Sequence, residues 1–238
     1  MDSESLVSDI EKIADQTIDA ARGGLVRGRQ DPGLTYAVFL LMQLSAAGRR
    51  NLSSLESLGF EPSQTNSVYE LLDQVQLKLD TYISEHGGST DYSEMAQQAA
   101  GSALLQVLES EATSLFGTGP DELRNALRKI STSSGFSYLA QNFFGDYLSR
   151  FLNFYLSRVT ARATGYSEFR QLDEFNKELH LYSMQSAQVI RDFSSAWLSK
   201  ALYEESLSED TVKQFLYVAN KKLSAELATA KKNQDGAT

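Results

Sequence analysis

Residues 136–155 hold eight aromatics, Phe136, Tyr138, Phe143, Phe144, Tyr147, Phe151, Phe154 and Tyr155, of the 12 Phe, 11 Tyr and one Trp in the chain. The same stretch runs on into Arg158 and Arg162. Rings beside guanidinium groups can form a core, stack on a planar ligand, or hold an anion against an apolar wall. At 100° per residue Phe136, Phe143, Tyr147, Phe151 and Phe154 gather within about 80° of one another. Phe144, Leu148, Leu152, Tyr155 and Val159 widen that arc to around 180°, and Asn142, Asp146, Ser149, Asn153 and Thr160 hold the polar edge. The pattern is a core helix with a narrow exposed strip. Arg158 falls in the middle of the apolar arc and Arg162 near it, and a desolvated guanidinium is costly unless paired. Two roles follow. The arginines meet internal acids such as Asp173, Glu174 or Asp192, or they anchor an anionic, partly apolar ligand in a pocket lined by Tyr147, Phe151, Tyr155, Arg158 and Arg162. Stacking of single-stranded nucleic acid would need exposed rings, which a core helix does not offer.

Other chemistry is sparse. The two histidines sit in Glu85-His86 and Glu178-Leu-His180, whereas a di-iron bundle needs Glu-x-x-His sets that share a helix face. Absence of cysteine removes disulfides, thiolate metal sites and cysteine nucleophiles. No G-x-S-x-G elbow, Walker-type loop or H-E-x-x-H occurs. Gly23-Gly-Leu-Val-Arg-Gly28, with Arg22, Arg27 and Arg29 close by, has the composition of a phosphate-cradling loop, but it follows a helix where dinucleotide loops follow a strand. It reads as a flexible basic connector. Glu11, Asp15 and Asp19 form an i, i+4, i+8 carboxylate stripe with Asp9 nearby, and Glu204, Glu205, Glu209 and Asp210 form a second acidic cluster. Facing stripes could hold magnesium in a phosphohydrolase, but like charges at this spacing are the mark of a solvated face. No catalytic residue, metal ligand or cofactor is therefore expected.

The elements that must position these residues are helical throughout, and nothing reads as a strand. The expectation is an all-α bundle of about seven helices over residues 1–231, with a frayed tail at 232–238. A possible sub-boundary at 117–135 would separate an N-terminal bundle, 1–116, from a C-terminal helical array, 120–231. The spacing predicts helices at 4–22 (stopped by Gly23-Gly24), 34–47 (stopped by Gly48), 66–85 (capped by Asn66 or Ser67, ended by Gly87-Gly88) and 91–116. A short helix at 120–130, a linker at 131–135 and the aromatic helix at 136–163, ended by Gly165, come next. The penultimate helix, 167–205, is the longest at about 38 residues, or roughly 58 Å. Its seam is Leu172, Phe175, Leu179, Tyr182, Ser186, Val189, Phe193, Ala196, Lys200 and Tyr203. Its polar positions favour packing within the bundle over a free coiled coil. The last helix is 209–231, capped by Ser208.

Bulk properties narrow the partners. A formal charge of −9 and a pI near 4.8 oppose binding to nucleic acid by net charge. The longest apolar run, Leu34 to Leu44, is too short to cross a bilayer, and no basic amphipathic segment suits a membrane surface. The acidic N-terminus lacks the positive region of a signal peptide, and the expected location is the cytoplasm. These features point to a non-enzymatic helical interaction subunit, an adaptor, scaffold or accessory component, binding another protein or itself. The alternatives are the aromatic/arginine ligand-binding protein and the carboxylate phosphohydrolase above.

Overall fold

Five helices begin the same way, on an Asp, Ser or Thr whose side-chain oxygen accepts from the backbone N–H three residues on. Such a cap satisfies one orphan donor and stabilises a helix by about 1 kcal/mol. Asp31 Oδ1 accepts from Leu34 N at 2.9 Å, with Pro32 at the first helical position. Ser67 accepts from Glu70, Thr90 from Ser93, Thr132 from Gly135 and Ser208 from Thr211. Left-handed glycines supply the clearest stop: Gly87 (φ 108°) and Gly88 (φ 84°) follow the third helix, and Gly88 N donates to Ile83 O.

The computed structural model describes residues 3–50, 52–61, 67–109, 120–162, 169–203 and 207–235; side chains are described for these except 3–11, 50, 52–54, 109, 120, 122, 160–162, 169–175, 202–203 and 230–235. Among the described residues there are nine α-helices, one short 3₁₀ helix (Leu52–Leu58) and no strand. The helices are α1 (Ser3–Gly28), α2 (Pro32–Arg50), α3 (Val68–Glu85), α4 (Asp91–Glu109), α5 (Pro120–Ile130), α6 (Ser133–Arg162), α7 (Phe169–Ser186), α8 (Gln188–Tyr203) and α9 (Glu209–Asp235). The all-helical class stands as expected. The predicted ends at 116 and Gly165, the Asn66 cap, and Glu204 and Glu205 lie outside the described residues.

The aromatic helix, α6, is the axis. It packs most extensively on α8, then on α4, α7, α1 and α5, and Phe136, Phe143, Phe144, Tyr147 and Phe151 are fully buried along it. Contacts also join the two sides of the 117–135 segment directly, through α4 with α6 and through α1 and α2 with α9. The small residues predicted to admit a close neighbour do so: Ala96, Ala99, Ala100 and Ala103 of α4 are buried where α4 meets α2 and α6.

Three expectations are corrected. First, the single helix at 167–205 is two helices, broken at Ala187. Ser183 Oγ donates back to Leu179 O at 2.7 Å, a bond that bends helices. Gln141 of α6 then reaches into the break, its Nε2 3.4 Å from Met184 O and 3.0 Å from Gln188 Oε1. With this break, the described residues hold nine α-helices rather than about seven. Second, Gly23-Gly24 and Gly48 do not stop their helices. Gly24 and Gly48 are close crossings: a side chain at Gly24 would collide with Tyr155 and Phe151, and one at Gly48 with the Leu127 carbonyl. Third, α6 starts at Ser133 inside the predicted linker, and α9 runs to Asp235.

Candidate functional site

The middle and C-terminal half of α6 organise the chemistry. Tyr147 stacks on Phe143 and Phe151, with centroids 6.2 and 5.8 Å apart, and Phe151 meets Tyr155 edge-on at 5.0 Å. One turn of α1 lies across these rings because Gly24 and Gly28 carry no side chains. A methyl group at Gly28 would stand 2.8 Å from the Tyr92 ring and 3.1 Å from the Tyr147 hydroxyl. The segment that has the composition of a phosphate loop is thus helical, and its glycines are where α1 crosses α6.

Arg27 follows from that crossing. Its Nη2 donates to the Tyr155 hydroxyl at 3.2 Å, and its interaction with Tyr92 of α4 raises its own pKa, so one guanidinium links three helices. Burial raises the Tyr155 pKa, the Arg27 hydrogen bond pulls it back down, and a hydrogen bond with Tyr92 pushes it up. Tyr147 is fully buried, and its hydroxyl has no hydrogen-bond partner among the described residues. Burial first, then the negative charge of Asp31, drives its pKa far above the ordinary phenol value. Asp31 is itself buried. Besides capping α2 it accepts from Thr90 Oγ1 at 2.6 Å, the residue that caps α4.

Beyond Tyr155 a groove of about 480 Å³ opens between α4 and α6. Its walls are matched stripes: Asp91, Glu94, Met95 and Gln98 on α4, and Arg150, Asn153, Phe154 and Ser157 on α6. Each follows the i, i+3, i+4, i+7 spacing of a single helix face. Arg150 is held in place, its Nε donating to Asp146 at 2.9 Å, Nη1 to Gln98 at 2.6 Å and Nη2 to Ser102 at 3.2 Å. Arg158 stands at the rim, with its guanidinium carbon 4.3 Å from the Phe154 ring centre.

The five residues expected to form a pocket therefore take different places. Tyr147 and Phe151 are fully buried, and Tyr155 is half-buried against Arg27. Arg158 is exposed on the ring of Phe154, and the side chain of Arg162 lies outside the described residues. The helical wheel puts Arg158 in the apolar arc, but Leu156 is the last fully covered position among the described side chains of α6, and Ser157 and Arg158 are exposed. Of the acids proposed to meet it, Asp192 is exposed and accepts from Gln188; the side chains of Asp173 and Glu174 lie outside the described residues.

His86 stacks on Tyr82 at 3.8 Å, and Tyr82 on Tyr36 at 3.8 Å, while exposed His180 faces Ser149 Oγ at 3.3 Å. Asp19 lies 3.9 Å from Arg22, and Glu209 accepts from Tyr82 at 3.3 Å. The side chains of Asp9 and Glu11 lie outside the described residues. Among the described residues no three His, Asp or Glu side chains converge as a metal site. Asp31, Tyr92 and Arg150 sit in no motif, and Arg27 belongs to the glycine segment read as a connector; Asp31-Pro32 is the legible signal, a cap before a first-turn proline.

No described helix is long and apolar enough to cross a membrane. Comparison with family models, curated proteins and solved structures finds no match for this chain.

Proposed function

We propose that this chain is a non-enzymatic helical interaction subunit, an adaptor or accessory component that receives a helix of another protein between α4 and α6. The observation that supports it is the groove itself. Two walls with helix-face periodicity, each two turns or about 10 Å long, frame the space that the apolar face of a third helix fills in helix-in-groove recognition. Arg150 is fixed by three partners, so this wall is rigid before anything binds and little ordering entropy is lost on docking.

A photo-crosslinking side chain placed at Asn153 tests this in cell extract of the source organism, with Lys221 on the outer face of α9 as the control position. The expected result is one defined protein adduct from position 153, absent from position 221 and lost when Ser157→Trp fills the groove. Equal adducts from both positions, or adducts indifferent to Ser157→Trp, would contradict the proposal.

A further inference from the structure

The charges on the groove walls specify its occupant further. Asp91 and Glu94 stand exposed at the α4 end of the groove. Glu94 accepts only a neutral donor, Ser89 Oγ, at 2.7 Å, and no cation is seen on Asp91 among the described residues. The guanidinium on the opposite wall, Arg150, already faces the carboxylate of Asp146 at 2.9 Å, so its charge is largely cancelled locally. Arg158 adds one positive charge at the rim, held over Phe154. The walls therefore carry two first-turn carboxylates of α4 with no ion-pair partner among the described residues, beside half-buried Phe154 and above buried Met95, in a molecule of formal charge −9.

We infer, on the reading of the groove as a helix-docking site, that its partner is a basic amphipathic helix. Its apolar face lies on Met95 and Phe154, and lysine or arginine one turn apart meets Asp91 and Glu94. The i, i+3 spacing of these acids matches neighbouring positions on a partner helix. The long-range field of an acidic protein steers a basic segment toward it and repels an acidic one.

The methionines provide the probe. Met95 is buried under the groove it lines, whereas Met42 lies in the core away from that lining and Met184 packs against Gly145, so methyl-labelled methionine in the full chain reports on the groove with internal controls. Two synthetic helical peptides of about five turns, with the same leucine face and either lysines or glutamates flanking it, are titrated in turn. The expected result is a saturable shift of the Met95 methyl resonance, with Met42 and Met184 unmoved. The lysine peptide should bind about tenfold more tightly than the glutamate peptide. Asp91→Lys with Glu94→Lys should reverse that order, and Arg158→Glu should strengthen lysine-peptide binding. Both peptides moving Met95 with equal affinity would overturn the charge inference and leave the docking groove standing. Met95 unmoved by either peptide would overturn the groove reading itself. Non-saturating shifts of Met42, Met95 and Met184 together would reduce the effect to general attraction by an acidic surface and overturn both.

Discussion

The Tyr147 hydroxyl, in the middle of an aromatic stack, is a polar group with no partner among the described residues. A buried hydroxyl without a partner costs about 1–3 kcal/mol, so Tyr147→Phe, which keeps the ring and its neighbours, should stabilise the fold. The expected gain is about 1 kcal/mol, seen as a rise of about 2–4 °C in Tm; a loss of similar size would show that the hydroxyl is satisfied by water. The same atom makes the fold sensitive to alkali. Its pKa is higher folded than unfolded, so the unfolded chain releases this proton first. Stability is then lost as pH rises above about 10. Denaturant midpoints at about pH 8 and about pH 11 should fall less between them for Tyr147→Phe than for the native chain. Some alkaline loss should persist, since burial also raises the pKa values of Tyr36, Tyr82, Tyr155 and Tyr182.

Helices meet in this protein at glycines and at one inserted glutamine. Gly24→Ala and Gly28→Ala should each destabilise by about 1–3 kcal/mol, the usual cost of forcing atoms into a filled crossing. Thermal melts followed by circular dichroism would test this, and unchanged melting would mean that α1 shifts away from α6 freely. Gln141→Ala should cost about 1 kcal/mol by leaving the Met184 carbonyl short of a donor at the break, and the same melts would register it. These features also mark how far the sequence can be read. Ser67 and Ser208 announce helix starts because capping is local chemistry, whereas Thr132 caps α6 from inside a Ser/Thr run that reads as a linker. Gly87-Gly88 announces a stop, yet Gly23-Gly24 looks the same in sequence and lies inside α1, with Gly24 at a crossing, because what lies opposite a glycine is set by a distant segment. The seam through Ser186 and Val189 continues across Ala187, so nothing local announces that break; it is stabilised from α6. The α6 wheel places Tyr147 and Phe151 in the core correctly. It misplaces Arg158 because it averages over a whole helix and cannot know where the covering helices end.

Over the whole molecule, order should fall away from α6 outward. Five helices cover it, whereas Tyr69 and Leu77 of α3 remain 57% and 65% exposed. Backbone amides of the middle of α6 should therefore exchange with deuterium only through global opening, and those of α3 through cheaper local opening. Mass-resolved exchange showing equal protection in both would contradict a single central axis. The position of α6 in the chain has a consequence for synthesis on the ribosome. Its coat comes from both directions, with α1, α4 and α5 made before it and α7 and α8 after it. At about 5–20 residues per second, the roughly 40 residues that follow α6 through α8 take about 2–8 s to appear. For that interval the most aromatic surface of the nascent chain has only half its cover, which is when a holding chaperone would find it.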